Sequence, residues 1–166
     1  MKPLMTMLAV AAAATQITQY TITAKIDAHT DFSKLKTYEW EMGWAAIDRD
    51  AHRHFVVAIN RELSALGLTE GDPGKSDVTV AYYSLRRDDV SLDWKVLTSK
   101  DHLPTFPVGT LIVVIREAGT RRELFNARAD APIDLDPERL NAIIDDKVAR
   151  MFELYPTRTS PRTARP

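Results

Sequence analysis

Asp48, Asp50, His52 and His54 fall within the stretch DRDAHRHF, the densest group of proton-moving or cation-binding side chains in the sequence. Carboxylates and neutral imidazoles both ligate metals, and a histidine beside an acid can act as a general base. A shared metal requires ligand atoms to converge at about 2 Å from the ion. The apolar residues that follow have helical period, however. Each residue then turns by about 100°, so His52 and His54 stand about 200° apart and cannot hold one ion. A helix start accounts for the same residues. Asp48 and Asp50 offer carboxylates to free N–H groups and oppose the helix dipole, and Asp48–His52 and Asp50–His54 are expected as local hydrogen bonds. One histidine acting with distant carboxylates is the catalytic alternative. His29 and His102 are isolated in expected loops.

The remaining acids pair as Asp88–Asp89, Asp145–Asp146 and Asp134 with Asp136. Paired carboxylates divide acid and base roles when their environments differ. Here they read as solvated faces and, at Asp136, as a helix cap. No nucleophile elbow, phosphate loop or dinucleotide fingerprint is present. The chain has no cysteine, which excludes disulfides, thiolate metal ligands and a thiol nucleophile. No catalytic residue, metal site or cofactor is therefore assigned.

Large aromatics suggest binding instead. Tyr38, Trp40 and Trp44 cluster around WEMGWAA at residues 40–46, and Trp94 follows later. These four are the candidate binding surface, because connections carrying aromatics often serve recognition. The expected loop at residues 98–108 is a second candidate.

Residues 20–28 alternate apolar and polar, as a half-buried strand does. A short strand is expected at 35–40. From Asp48 to Leu66, His52, Val56, Ile59, Leu63 and Leu66 mark one face of a helix that Gly67 stops. Strands are expected at 78–85, 90–96, 110–117 and 121–131, with a hairpin turn at Gly119-Thr120. A second helix begins at Asp136-Pro137, carries Leu140, Ile143, Ile144, Val148, Met151, Phe152 and Tyr155 on its apolar face, and ends before Pro156. This order predicts an α+β fold: an antiparallel sheet of about five or six strands with two amphipathic helices on one face.

The 166 residues suit one domain, and 45% hydrophobic with 27% charged residues is ordinary for a packed globule. Net charge is −1, but Arg158, Arg162 and Arg165 sit in an acid-free tail at 157–166. Setting aside that tail and Lys2, the body carries an excess of about five acids. Such a body does not suit nucleic acid, which needs a basic stripe. Met1-Lys2 followed by an apolar run from Pro3 to Ala14 has the form of a secretory signal, with cleavage expected after Ala14. The run is too short to span a bilayer. The expected organisation is a signal at 1–14, a domain at 15–156 and a disordered basic tail at 157–166.

The ordered motifs DFSKLKTYEW (31–40), LSALGL (63–68), SDVTVAYY (76–83) and GTLIVVIREAGTRRELFNARAD (109–130), with the closing helix before Tyr155-Pro156, carry a resemblance. The chain resembles the bacterial domain of unknown function 4136 family, mostly exported or lipid-anchored envelope proteins. Two departures are Phe125, where members often have Trp, and the absence of a lipid-anchor cysteine, which implies a soluble periplasmic form. The resemblance supplies no catalytic residues. The expectation is a non-enzymatic envelope domain that binds a protein or small ligand. The alternatives are a hydrolase with scattered Asp, Glu and His residues, and a cytosolic structural or assembly protein.

Overall fold

The computed structural model describes residues 20–90, 105–134 and 136–158. Strands β1 (Thr23–Ile26) and β2 (Thr37–Trp40) flank a single 3-10 turn, Phe32–Lys34. Helix α1 (Arg49–Ala65) follows, then β3 (Thr69–Glu70), β4 (Val78–Val90), β5 (Thr105–Glu117), β6 (Glu123–Pro132) and α2 (Pro137–Phe152). The strands form one sheet in the order β1-β6-β5-β4-β2-β3. The fold is α+β as expected, with one difference. The sheet is mixed, because β2 runs parallel to both β3 and β4. A parallel neighbour requires a crossover, and α1 supplies it between β2 and β4.

The helices begin where carboxylates cap them. Asp48 accepts from the N–H groups of Asp50 and Ala51 at 2.9 and 2.8 Å. Asp136 accepts from Arg139 at 3.0 Å, with Pro137 at the first helical position. Gly67, at φ 83°, ends α1 in the left-handed conformation that costs glycine least. Leu68 N–H then bonds the Leu63 carbonyl at 3.0 Å and Gly67 N–H that of Ser64 at 2.9 Å, closing a Schellman motif.

Period two in the strands divides the sheet. Val78, Val80 and Tyr82 of β4 join Leu111, Val113 and Ile115 of β5 and Phe125, Ala127 and Ala129 of β6 in the core. Ile59 and Leu63 of α1 and Ile144, Val148, Met151 and Phe152 of α2 cover that face. Each fully buried large side chain contributes about 1.5–3 kcal/mol. The opposite face sets a polar network beside buried apolar residues, Ala81, Val108 and Val114. Glu41 there takes hydrogen bonds from Thr79 and Arg116, each at 3.0 Å, and Arg116 also donates to Tyr83 Oη at 3.3 Å. Burial works against the Glu41 charge, yet the Thr79 and Arg116 bonds hold its carboxyl below the usual range.

Several boundaries differ from expectation. β4 continues through Arg86–Asp89 to Val90, and Thr105–Val108, expected as loop, is the start of β5. Pro107 is tolerated there because its nitrogen faces Ile133, past the end of β6 at Pro132, where the ladder needs no donor, while its carbonyl accepts from Ile133. β3 was not anticipated. Residues 91–96 of the expected extra strand, Trp94, His102, the signal-like segment 1–14 and the tail from 159 lie outside the described residues. Among the described residues no helix is long and apolar enough to cross a membrane.

Candidate functional site

The connection from Glu41 to Asp48 does not loop freely between β2 and α1. It runs along β4. Glu41 N–H bonds the Val80 carbonyl at 2.8 Å, Trp44 N–H the Tyr82 carbonyl at 3.0 Å, and Ser84 N–H the Trp44 carbonyl at 2.9 Å. This close approach requires Gly43, where a Cβ would lie 2.1 Å from the Tyr82 carbonyl oxygen.

A buried polar and aromatic cluster holds the segment from beneath. Tyr38, 3% exposed, and Trp40 both donate to Asn60 Oδ1, at 3.0 and 3.2 Å. Trp40 meets Tyr82 edge to face, and Phe55 and His52 pack on the same Tyr82 ring. Tyr82 Oη accepts from Ala46 N–H at 3.2 Å and lies 2.5 Å from His52 Nδ1. The histidine tautomer sets which of Tyr82 Oη and His52 Nδ1 donates. Burial pushes both tyrosine hydroxyls up, Tyr82 and Tyr38 alike, so they stay neutral.

On the outer side Met42, Trp44 and Ile47 are 94%, 67% and 102% exposed. Three large apolar side chains on a segment pinned at both ends form a preorganised apolar display. Of the four aromatics expected as a binding surface, Trp94 lies outside the described residues, and the other three separate. Tyr38 is a core residue, because β2 lies between β3 and β4 and turns it toward α1. Trp40 is partly buried on the core, and Trp44 is exposed. Met42 and Ile47 were not singled out from the sequence, since isolated apolar residues in a connection have no period to show which way they point.

The acids and histidines disperse as well. His52 pairs with Tyr82, not with Asp48. Asp50 pairs with Arg53, and His54 Nε2 lies 3.3 Å from Asp145 across the helix pair, without hydrogen-bond geometry. The expected local pairs Asp48–His52 and Asp50–His54 do not form, because packing against β4 and α2 offers these rings longer-range partners. Asp145 also binds Arg61 at 3.2 Å, Asp146 binds Lys147 at 3.1 Å, and Asp89 binds Arg87 at 2.9 Å. Asp134 accepts from Asp136 N–H at 2.9 Å, and His29 N–H points to Asp27. Among the described residues no three His, Asp or Glu side chains gather as a metal site. An open groove of about 380 Å³ lies between Tyr20–Ile22 and the end of α2, lined also by Arg150, Glu153 and Leu154.

The model of the family described as domain of unknown function (DUF4136) matches residues 22–157. The chain belongs to this family. Solved structures agree with the DUF4136 fold. A DUF4136 family protein from Bacteroides thetaiotaomicron VPI-5482 superposes with a TM-score of 0.54 at 9% identity, covering 83% of this chain and 96% of that one. A PelC dodecamer from Paraburkholderia phytofirmans gives a TM-score of 0.52 at 9% identity over 80% of this chain and 94% of that one. A PDZ domain protein from Parabacteroides distasonis ATCC 8503 gives 0.54 at 16% identity over 84% of this chain. The match spans only 36% of that PDZ protein's length. Among curated proteins, none matches this DUF4136 chain.

Proposed function

We propose that this DUF4136 chain acts by binding rather than by catalysis, as a cell-envelope domain that docks a protein partner on Met42, Trp44 and Ile47. One observation carries the reading: the three side chains are exposed on a segment that backbone bonds to Val80, Tyr82 and Ser84 and the Tyr82 hydroxyl fasten to β4. Binding then orders little that is not already ordered, which lowers its entropic cost. Side chains this exposed do not line an enclosed pocket, which suits a protein surface better than a small ligand. The dodecameric assembly of PelC supports protein contact as a use of this fold. Export to the periplasm is part of the proposal, supported by the basic start and the apolar run from Pro3 to Ala14.

The test compares the wild-type domain with a Trp44→Ala/Ile47→Ser variant. Both are expected to unfold at the same urea concentration, and the variant to lose the envelope proteins that the wild type retains in a pull-down. Equal capture by the two proteins overturns the reading. So does unfolding of the variant, which would assign Trp44 to the core.

A further inference from the structure

β4 is longer than the segments that cover it. On this strand the even-numbered residues turn their backbone groups toward β2: Val80 and Tyr82 accept from Glu41 and Trp44, and Ser84 donates to Trp44. Past Ser84 no described strand continues that pairing, although β4 stays paired with β5 on its other side through Val90. The N–H and C=O groups of Arg86 and Asp88 thus lie along an edge, and an unpaired edge is a template for another strand. Charged residues usually defend such an edge. Here their order is particular. Leu85-Arg86-Arg87-Asp88-Asp89-Val90 runs basic then acidic, so an antiparallel copy can set Arg86 against Asp88.

We propose that two copies of this chain pair antiparallel along β4 about a two-fold axis at Arg87. Only registers that oppose even residues to even residues bring the free backbone groups face to face. With Arg87 opposite Arg87, Arg86 of each copy faces Asp88 of the other. These two positions exchange backbone hydrogen bonds and ion-pair their side chains, twice by symmetry. The central arginines do not meet as bare charges. Each holds Asp89 at 2.9 Å, Thr110 at 2.8 Å and Asp130 at 3.5 Å within its own chain. Pairing stops at Ser84, whose N–H is already taken by Trp44. There the half-exposed Val90 of the second copy arrives beside Trp44. The edge dimer joins two sheets into one continuous sheet. Trp44 borders both surfaces, but the dimer is argued from the β4 edge and its tests need no docking partner.

The absence of native cysteine makes a clean test available. Residues facing each other in a non-hydrogen-bonded pair have Cα atoms about 4.5 Å apart, within disulfide reach. Arg87→Cys is therefore expected to give a disulfide-linked dimer under mild oxidation. Asp89→Cys is expected to stay monomeric on a non-reducing gel, since the register places its two copies about 13 Å apart. Because Arg87→Cys removes intrachain ion pairs, a charge swap provides a second reading by sedimentation velocity. Arg86→Asp alone and Asp88→Arg alone each raise the dimer dissociation constant about tenfold, and the double variant restores it. A wild-type chain that remains monomeric into the millimolar range overturns the proposal. Cross-linking by Asp89→Cys as efficient as by Arg87→Cys, or a double variant no tighter than the singles, does so too.

Discussion

Tyr82 Oη lies 2.5 Å from His52 Nδ1 and 3.2 Å from the Ala46 nitrogen, so one hydroxyl ties β4, α1 and the segment between β2 and α1 together. Removing it leaves a buried ring in place but strands two polar groups. Tyr82→Phe is expected to cost about 1–3 kcal/mol in urea denaturation. Hydrogen exchange at Ala46 should quicken. A variant as stable as wild type with Ala46 still protected would show that the hydroxyl anchors nothing.

Asn60 makes a comparable pair of bonds from the helix side. Its Oδ1 serves both Tyr38 and Trp40. Asn60→Leu fills the space yet orphans both donors, and a loss of about 2–3 kcal/mol is expected. Trp40 fluorescence in the folded state should change with it. Asn60→Asp, which keeps an acceptor, should lose less. The ordering of the two variants is the measurement to make.

Gly43 lies against the Tyr82 carbonyl with no room for a side chain. Gly43→Ala forces the segment off β4 and breaks the Trp44 pairing, at a cost of about 1–3 kcal/mol. Gly43→Ala is also expected to reduce partner capture as far as Trp44→Ala does, because it spoils the presentation of Trp44 without touching its side chain. Thermal denaturation and pull-down on one preparation test both halves of this prediction.

Acid sensitivity should centre on Asp77. Its carboxylate accepts from the N–H groups of Lys36 and Thr37 at 2.8 and 2.9 Å, and these backbone bonds, Lys36 first, hold its pKa below the ordinary range. The folded value is depressed, so the stabilisation is fully present above the unfolded pKa of about 3.9 and is lost as pH falls through the folded value. Asp77→Asn should thus be less stable than wild type at pH 7, and the gap should close below about pH 4. Urea midpoints at pH 7, 5 and 3 decide it. A gap constant across that range would mean that the charge of Asp77 plays no part.

What was legible in the sequence is what local physics controls. Asp48 and Asp136 cap the helices they precede, Gly67 stops α1, and the apolar stripes of both helices face the sheet. The β5–β6 hairpin turns at Gly119, as its flanking strands suggest. What was not legible depends on distant partners. His52 finds Tyr82 across 30 residues, and no local spacing announces this. The parallel setting of β2 arises from how α1 crosses over, which alternation within β2 cannot encode. Charge at Arg86–Asp89 hid the far half of β4, because strand propensity is low there and pairing with β5 overrides it. Of the aromatic cluster, Trp44 remains at the surface and Tyr38 does not, a division made by the neighbours of β2 rather than by residue type.

The parallel alignment of β2 with β4 has a further consequence, for the order of assembly. β4, β5 and β6 form a meander of neighbours in sequence, whereas the bonds from Lys36 and Thr37 to Asp77 span 41 and 40 residues. Closing so long a loop costs more chain entropy than closing the hairpins of the meander, so β2 is expected to join the sheet after them. On that order the surface bearing Met42, Trp44 and Ile47 is complete only once β2 has docked. A half-folded chain carries the residues of that surface but lacks the surface itself, so the proposed docking would select molecules that have finished folding.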